Sequence, residues 1–222
     1  MIKITNLEVV LKESKSLLKN INLELENNKI YLIMGPNGSG KSSLIKTIAG
    51  HPEYSVKHGS ITFDKKYFYE LKQDFKTNNL LDLDITTRSL MGIFLSFQEP
   101  LEIEGLSLVN ILKESLNKQF ENRDNGTKIS APEILKKLKG YLKMLNLQED
   151  FYRRSLNVGY SGGEKKKSEI IQMLALNPKL ILLDEIDSGL DIDSLKTIAE
   201  LIKDQKECKK NKTFVIISHN LN

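Results

Sequence analysis

One segment of the chain has the residue types and spacing that bind a nucleotide phosphate. The segment GPNGSGKSS combines three glycines with Lys41 and Ser42, between an apolar run and a helical pattern. Glycines let consecutive N–H groups point into one concavity, and the lysine can reach the β- and γ-phosphates. A turn that only caps a helix is the simpler alternative, which the complete spacing disfavours. The predicted phosphate-binding residues are Gly35, Pro36, Asn37, Gly38, Ser39, Gly40, Lys41, Ser42 and Ser43.

Two adjacent acids end the apolar run LILLDE. A carboxylate at the tip of a strand beside such a loop holds Mg²⁺, so we predict Asp184 and Ser42 as metal ligands. Glu185 is then placed to polarise an attacking water as a general base. Adjacent acids also occur as helix caps, but the four apolar residues in front favour a strand tip. The expected cofactors are ATP and Mg²⁺.

A third segment, SGGEKKK, opens a predicted helix at Ser161. Taken alone, serine and glycines at a helix start are a common amino-terminal cap. For Lys165, Lys166 and Lys167 we favour a solvated basic helix face. The alternative hypothesis is that one of these lysines lies near the acids of the hydrolytic strand, Asp184 and Glu185, and restrains Glu185.

The patterns around these segments predict the elements that position them. Alternation in IKITNLEVVL and INLELE predicts antiparallel strands with one wet face, whereas KIYLIMG, KLILLDE and TFVIISH predict strands buried on both faces. Helical spacing follows each apolar run except the last, first in SSLIKTIAG, which stops at Gly50. Strands alternating with helices predict an α/β fold with a parallel sheet. The pattern is poor from Tyr67 to Ser89, where KTNNLLDLDITT is predicted to be an inserted surface loop.

The chain of 222 residues suits one domain. We predict a nucleotide-binding core with an antiparallel β subdomain (residues 1–97 and 159–222) and a helical subdomain (residues 98–158), since residues 106–156 are mostly helical in pattern. A net charge of +4 is too small to indicate nucleic-acid binding. The single cysteine, Cys208, excludes a disulfide within the chain. No apolar run approaches the roughly 18 residues that span a bilayer, so direct membrane insertion is not expected.

Six motifs together resemble an ABC-type ATPase domain over almost the whole chain. They are GPNGSGKSS, Gln98 in LSFQEP, YSGGE, LILLDE, SGLD and His219 in IISH, in the family's order and spacing. The resemblance implies a P-loop NTPase fold with a RecA-like parallel sheet, an antiparallel β subdomain and a helical subdomain. It also implies a transient homodimer, in which one copy's signature loop binds ATP held by the other. In the alternative hypothesis for the three lysines, Glu185 would be restrained until this dimer forms. The residues of that loop are Ser161, Gly162, Gly163 and Glu164.

The same resemblance implies roles for three further sites. Gln98 would contact Mg²⁺ or the attacking water, His219 would contact the γ-phosphate, and Ser188 to Asp191 would meet the second copy's site. A lone histidine after a strand is more often structural, but the order of the motifs favours a catalytic role. The chain ends three residues after His219. Relatives continue there with further strands and helices, so we expect a sequence interrupted at this point to lack closing elements of the core.

Departures from the common pattern narrow the resemblance. The signature carries Glu164 where most ABC proteins have Gln. The Gln98 motif continues as FQEPLEIEGLS, and LILLDE continues as DEIDSGLDIDSLK. Over residues 90–110 and 155–200 the chain closely resembles SufC, the ATPase of the SufB–SufC–SufD iron–sulfur scaffold, including the plastid-encoded type. This implies SufB- and SufD-like partners, and a location in a plastid-type organelle (the apicoplast or plastid stroma) or the bacterial cytoplasm.

Two other classes of ABC protein remain as alternatives. An ATPase subunit of an ABC membrane transporter would have the same phosphate site. DNA-repair and translation ABC ATPases usually carry long coiled-coil or tandem-domain insertions, which this chain lacks.

Two other features differ from the family pattern. No aromatic residue precedes Tyr31, so no early ring is available to stack on adenine, and the segment 77–87 is longer than in the family.

Overall fold

The amino-terminal part of the chain forms an antiparallel sheet. The structure is a computed structural model that describes residues 1–11, 15–73, 75–123, 128–208 and 211–218. Strand β1 (Ile2–Leu11) lies between β2 (Lys15–Leu25) and β4 (Tyr54–Phe63). The apolar residues on one face of β1 are buried, as the alternating pattern predicted. The predicted antiparallel strands are therefore confirmed.

A second, parallel sheet carries the ends of the predicted motifs. Its order is β3 (Ile30–Ile33), β9 (Thr213–Ile217), β8 (Leu180–Asp184) and β5 (Ile93–Leu95), and every pair is parallel. The carboxyl ends of parallel strands meet at one edge of a sheet. The segments that follow these four strands, which hold the candidate site residues, therefore meet at that edge.

The helices that flank this sheet begin and end close to the predicted positions. They are α1 (Lys41–Ala49), α5 (Gly162–Leu176) and α6 (Ile192–Cys208). Gly50 ends α1 in the left-handed conformation, with φ of 84°. Ser161 caps the start of α5 and Asn177 ends it. Local cap chemistry thus fixes both ends of the helix that follows the signature loop.

Burial of the apolar strands was predicted correctly for two of the three runs. Every residue of β8 is buried, and β9 is almost entirely so. The prediction was wrong for β3, in which Leu32 is 55% and Ile30 42% exposed. Strand β3 pairs only with β9 among the described strands and lies at the edge of the sheet. An apolar composition does not reveal whether a strand is central or at an edge.

Within the region of poor pattern from Tyr67 to Ser89, the prediction of a surface loop for KTNNLLDLDITT is wrong in part, because Leu80 and Leu83 are buried. Tyr67, Phe68, Leu80 and Leu83 are buried in the same apolar cluster as the antiparallel sheet. A short 3₁₀ turn at 65–67 ends at the first residue of this region, which contains a second one at 80–82 and leads into helix α2 (Ile85–Met91). Short turns have no sustained hydrophobic period, so single buried residues give no recognisable sequence pattern.

Two helices and a small sheet occupy the region between Gln98 and the signature loop. The predicted helices are confirmed as α3 (Leu108–Asn122) and α4 (Ala131–Met144), which pack on α5. Strand β6 (Ile103–Ser107) pairs with β7 (Ser155–Leu156), which the sequence did not indicate. This pairing brings the segment after Gln98 close to the segment before Ser161. Among the described residues, no helix is both long and apolar enough to cross a membrane.

Candidate functional site

The phosphate-binding loop lies at the start of α1 and packs closely against β2. Gly40 precedes the helix with φ of 93°, and a Cβ there would lie 2.6 Å from the Leu18 side chain. Only glycine satisfies both conditions without a shift of its neighbours. The Lys41 side chain is buried, and its Nζ donates to the carbonyl oxygens of Gly35 (2.8 Å) and Pro36 (3.0 Å). The loop therefore closes around its own lysine.

Ser42 and Asp184 meet across the two elements that carry them. The Ser42 hydroxyl donates to Asp184 Oδ1 at 2.9 Å. The other carboxylate oxygen, Oδ2, is buried and has no hydrogen-bond partner among the described residues. Burial raises the pKa of the Asp184 carboxyl, although the hydrogen bond from Ser42 opposes this shift. A hydroxyl beside a buried carboxylate oxygen without a donor fits a hard divalent cation such as Mg²⁺.

Gln98 and Glu185 lie together at the same edge of the sheet. Gln98 Nε2 donates to Glu185 Oε2 at 3.1 Å. Glu185 has a left-handed backbone with φ of 49°, which is uncommon for a residue with a side chain. Its N–H donates to the carbonyl of Ile217 at 3.1 Å, so the turn is fixed to the end of β9. The structure thus brings the predicted base and the predicted glutamine into contact.

One cavity of about 460 Å³ unites most of the predicted phosphate site. The residues that line it are Ser16, Leu17, Asn37, Gly38, Gly40, Lys41, Ser42, Ser43, Gln98 and Glu185. Ser16 and Leu17 were not predicted from the sequence. They belong to β2, and only the fold of the antiparallel sheet places this strand beside the loop. No local sequence signal could have identified them.

The signature segment forms a capping box at the start of α5. Glu164 N–H donates to Ser161 Oγ at 3.2 Å, and Ser161 N–H donates to Glu164 Oε2 at 2.8 Å. The hydroxyl oxygen accepts in this arrangement, which leaves the O–H of Ser161 able to donate to another group. A helix cap and a phosphate ligand are therefore compatible roles for the same serine.

Lys166 is not part of a solvated helix face, which corrects the favoured prediction for this residue. It is only 3% exposed, and its Nζ donates to the carbonyls of Phe97 (2.9 Å), Gln98 (3.1 Å) and Asp184 (3.5 Å). Burial lowers the pKa of the Lys166 ammonium, and nearby carboxylates oppose this. Lys166 thus lies near the acids of the hydrolytic strand, where the alternative hypothesis places one of the three lysines.

Glu169 is a buried acid that the sequence reasoning missed. Its Oε1 accepts from the N–H of Phe97 at 2.7 Å, and its Oε2 lies 3.9 Å from Lys166 Nζ. Burial raises the pKa of the Glu169 carboxyl to about 7, although the hydrogen bond from Phe97 opposes this shift. The one available signal was its position three residues after Lys166, beside the apolar residues of α5.

The loop after β8 contacts the candidate base, whereas one predicted site residue cannot be placed. The Ser188 hydroxyl donates to the carbonyl oxygen of Glu185 at 2.9 Å, and Asp191 accepts from the N–H of Ser194 at the start of α6. His219 lies outside the residues that the structure describes. Its predicted contact with the γ-phosphate stays a prediction.

Comparison with known proteins identifies the family. Residues 18–188 match the family model described as ABC transporter, which covers more than half of the chain. The chain belongs to the ABC transporter family. This ABC cassette is 38% identical to Vegetative protein 296 of Bacillus subtilis (strain 168), over 93% of the chain and 73% of that protein. It is 41% identical to the probable ATP-dependent transporter ycf16 of Trieres chinensis, over 98% of the chain and 80% of that protein.

Solved structures of dimeric cassettes resemble this cassette along its whole length. The dimeric structure of MJ0796, a bacterial ABC transporter cassette, superposes with a TM-score of 0.80 at 27% identity, over 100% of this chain and 89% of that one. A post-hydrolysis state of MJ0796 bound to ADP and Pi gives a TM-score of 0.79 at 28% identity, over the same shares of the two chains. The predicted ABC ATPase fold is confirmed. The chain binds ATP and hydrolyses it, and the MJ0796 cassette is dimeric in both of these solved structures.

Proposed function

We propose that this cassette is the ATPase subunit that powers iron–sulfur cluster assembly on a scaffold of SufB- and SufD-like subunits. The observation that carries the proposal is that the two SufC-like segments, residues 90–110 and 155–200, are joined by side-chain contacts. Lys165 Nζ donates to Glu102 Oε1 at 2.7 Å, and Asn157 Nδ2 donates to the carbonyl of Leu101 at 2.7 Å. The two SufC-like segments therefore form one connected unit beside the nucleotide site.

This unit presents an apolar surface on which a partner subunit would dock. Phe97, Leu101 and Ile103 are 38%, 70% and 36% exposed, and they flank Gln98 along the chain. A contiguous patch of exposed apolar side chains is typical of protein–protein contacts, and we infer that these three contribute to one. Because Gln98 contacts Glu185, a subunit bound here would respond to closure of the nucleotide site. The proposed division into a core (1–97 and 159–222) and a helical subdomain (98–158) places this surface at their junction.

Residues in and beside the cavity would have distinct roles in hydrolysis. The backbone N–H groups of the loop at 35–43, other than Pro36, which has none, and the ammonium of Lys41 would bind the phosphates. Ser42, Asp184 and Gln98 would hold Mg²⁺, which neutralises charge on the phosphate oxygens when bound. Glu185 would accept a proton from the attacking water, and Gln98, whose Nε2 donates to Glu185 Oε2 at 3.1 Å, would orient that water. His219 would contact the γ-phosphate.

Two copies would close head to tail on two ATP molecules. In each site the phosphates would lie between one copy's loop at 35–43 and the other copy's Ser161, Gly162 and Gly163, with Glu164 completing the cap. The amino end of α5 supplies N–H groups and the positive end of the helix dipole. Hydrolysis would reopen the dimer and pass the change to the scaffold.

The iron and sulfide would be held by the partner subunits. Clusters need several thiolates, and this chain has one cysteine. The proposed location is a plastid-type organelle or the bacterial cytoplasm. The ycf16-named relative and the Bacillus subtilis relative support this pair of locations.

The Glu185→Gln variant tests the catalytic part of the proposal. Removal of the base should slow hydrolysis by about 100-fold or more while ATP still binds, so the ATP-bound dimer accumulates. Turnover is measured by phosphate release, and dimer formation by sedimentation with and without ATP. Glu200→Gln, which removes an exposed carboxylate on α6, is the matched control. Hydrolysis by Glu185→Gln at the unmodified chain's rate would show that another group is the base.

Copurification tests the cellular part of the proposal. The tagged chain is recovered with and without ATP, and its partners are identified by mass spectrometry. Soluble SufB- and SufD-like subunits are the expected partners. Membrane-embedded partners would instead support the second candidate, an ATPase subunit of an ABC membrane transporter, which the name of the ycf16 relative favours.

A further inference from the structure

A carboxylate stands where the proposed function requires the chain to bind a phosphate. Glu164 lies in the first turn of α5, and its Oε2 accepts from the N–H of Ser161 at 2.8 Å. This hydrogen bond, the strongest of several influences, lowers the pKa of Glu164, so the side chain is ionised at neutral pH. A carboxylate at this position uses the same positive helix end that attracts a phosphate. An uncompensated negative charge there would oppose an incoming nucleotide.

Arg154 lies against this carboxylate and is held in place by contacts with the same short segment. Its Nη1 donates to Glu164 Oε1 at 3.1 Å, and its Nη2 donates to the carbonyl of Gly159 at 3.3 Å. The guanidinium also stacks over the Tyr160 ring, with the carbon 4.5 Å from the ring centroid. The two oxygens of Glu164 thus have different partners, one from the helix cap and one from Arg154.

We propose that Arg154 is a positioning residue that neutralises Glu164 and thereby lets the amino end of α5 receive the phosphates of an ATP held by a second copy. The inference rests on the proposed function, because it assumes that the signature loop binds nucleotide across a dimer. Arg154 is required only because an acid occupies position 164. With a neutral residue at position 164, the arginine has no charge to compensate and becomes dispensable for binding.

A cycle of variants tests this dependence in the Glu185→Gln background, where ATP holds the dimer. Arg154→Gln should raise the ATP concentration for half-maximal dimerisation about tenfold, because one unpaired charge near a phosphate is worth about that factor. The double variant Glu164→Gln with Arg154→Gln should need an ATP concentration for half-maximal dimerisation within about twofold of that for Glu164→Gln alone, since the charge that needed compensation is gone. Arg154→Lys, which retains the charge, should recover part of the loss.

Arg153→Gln is the matched control, because it removes an exposed arginine at the neighbouring position and should leave dimerisation unchanged. Urea unfolding of each variant shows whether the fold is retained. Arg154→Gln could weaken ATP-dependent dimerisation equally whether position 164 holds Glu or Gln. That result would overturn the inference, since it would indicate a purely structural role for Arg154. No loss from Arg154→Gln would overturn it as well. If the Glu185→Gln parent fails to dimerise with ATP, the proposed function itself fails and this inference fails with it.

Discussion

Replacement of Glu169 by Gln should make the stability of this cassette less sensitive to pH. The carboxyl is 4% exposed, and only one of its two oxygens has a hydrogen-bond donor among the described residues. The Lys166 ammonium, 3.9 Å from the other oxygen, already donates to backbone carbonyls. Burial therefore destabilises the ionised carboxylate by more than Phe97 and Lys166 stabilise it. The pKa of Glu169 is raised from 4.5 to about 7.

The sign and size of the effect follow from proton linkage. Between pH 4.5 and about 7 the folded chain keeps a proton on Glu169 that the unfolded chain has released. The free energy of unfolding therefore falls as the pH rises through this window. Each pH unit contributes about 1.4 kcal/mol, so the loss over the roughly two units between pH 5 and pH 7 is about 3 kcal/mol. Glutamine has the shape of the protonated acid and can still accept the N–H of Phe97, but it has no proton to lose.

Urea unfolding at closely spaced pH values from 5 to 8.5 measures this difference. We expect the free energy of unfolding of Glu169→Gln, relative to that of the unmodified chain, to rise by about 3 kcal/mol from pH 5 to pH 8.5. Subtraction of the two profiles removes the titration of other groups, including Asp184. Glu200→Gln, which removes an exposed carboxylate, should give a profile parallel to that of the unmodified chain. Parallel profiles for Glu169→Gln would refute the reasoning, because they would mean that Glu169 is ionised throughout.

Two further predictions concern buried cations. Arg88 is 5% exposed and donates to the carbonyls of Leu83, Thr47 and Ile48 at 2.9–3.0 Å. Arg88→Met should therefore lower the free energy of unfolding by about 3 kcal/mol in urea, and a loss below about 1 kcal/mol would contradict this role. If Lys166 restrains Glu185, Lys166→Ala should raise the ATPase rate of the isolated chain, tenfold for each 1.4 kcal/mol by which the restraint raises the barrier. Lys165→Ala should leave the rate unchanged. An unchanged rate in Lys166→Ala would rule out restraint of Glu185.

Sequence reasoning worked best where function depends on contiguous residues. The loop at 35–43 needs its glycines, Lys41 and Ser42 in one local backbone arrangement, which their spacing alone specifies. The same holds for the cap at Ser161, whose partner Glu164 lies within the same helical turn. The α/β fold also followed from local patterns, since apolar runs alternate with helical segments along the chain.

The tertiary structure decided which polar residues are buried together. Lys166 lies in a run of three lysines, and only the packing of α5 against β5 and β8 places it among the carbonyls of Phe97, Gln98 and Asp184. Ser16 likewise reaches the nucleotide cavity through the antiparallel sheet. The exposure of β3 depends on its position at the edge of the sheet.

The sequence by itself therefore determined the family, the fold class and the residues of the phosphate loop, because hydrogen bonds between near neighbours and a regular hydrophobic period encode them. Tertiary structure decided the contact between Gln98 and Glu185 and the pairing of Arg154 with Glu164. The first of these contacts joins segments 87 residues apart in the chain. Whether a charge is solvated or buried depends on the element packed against it, and no window of sequence contains that element.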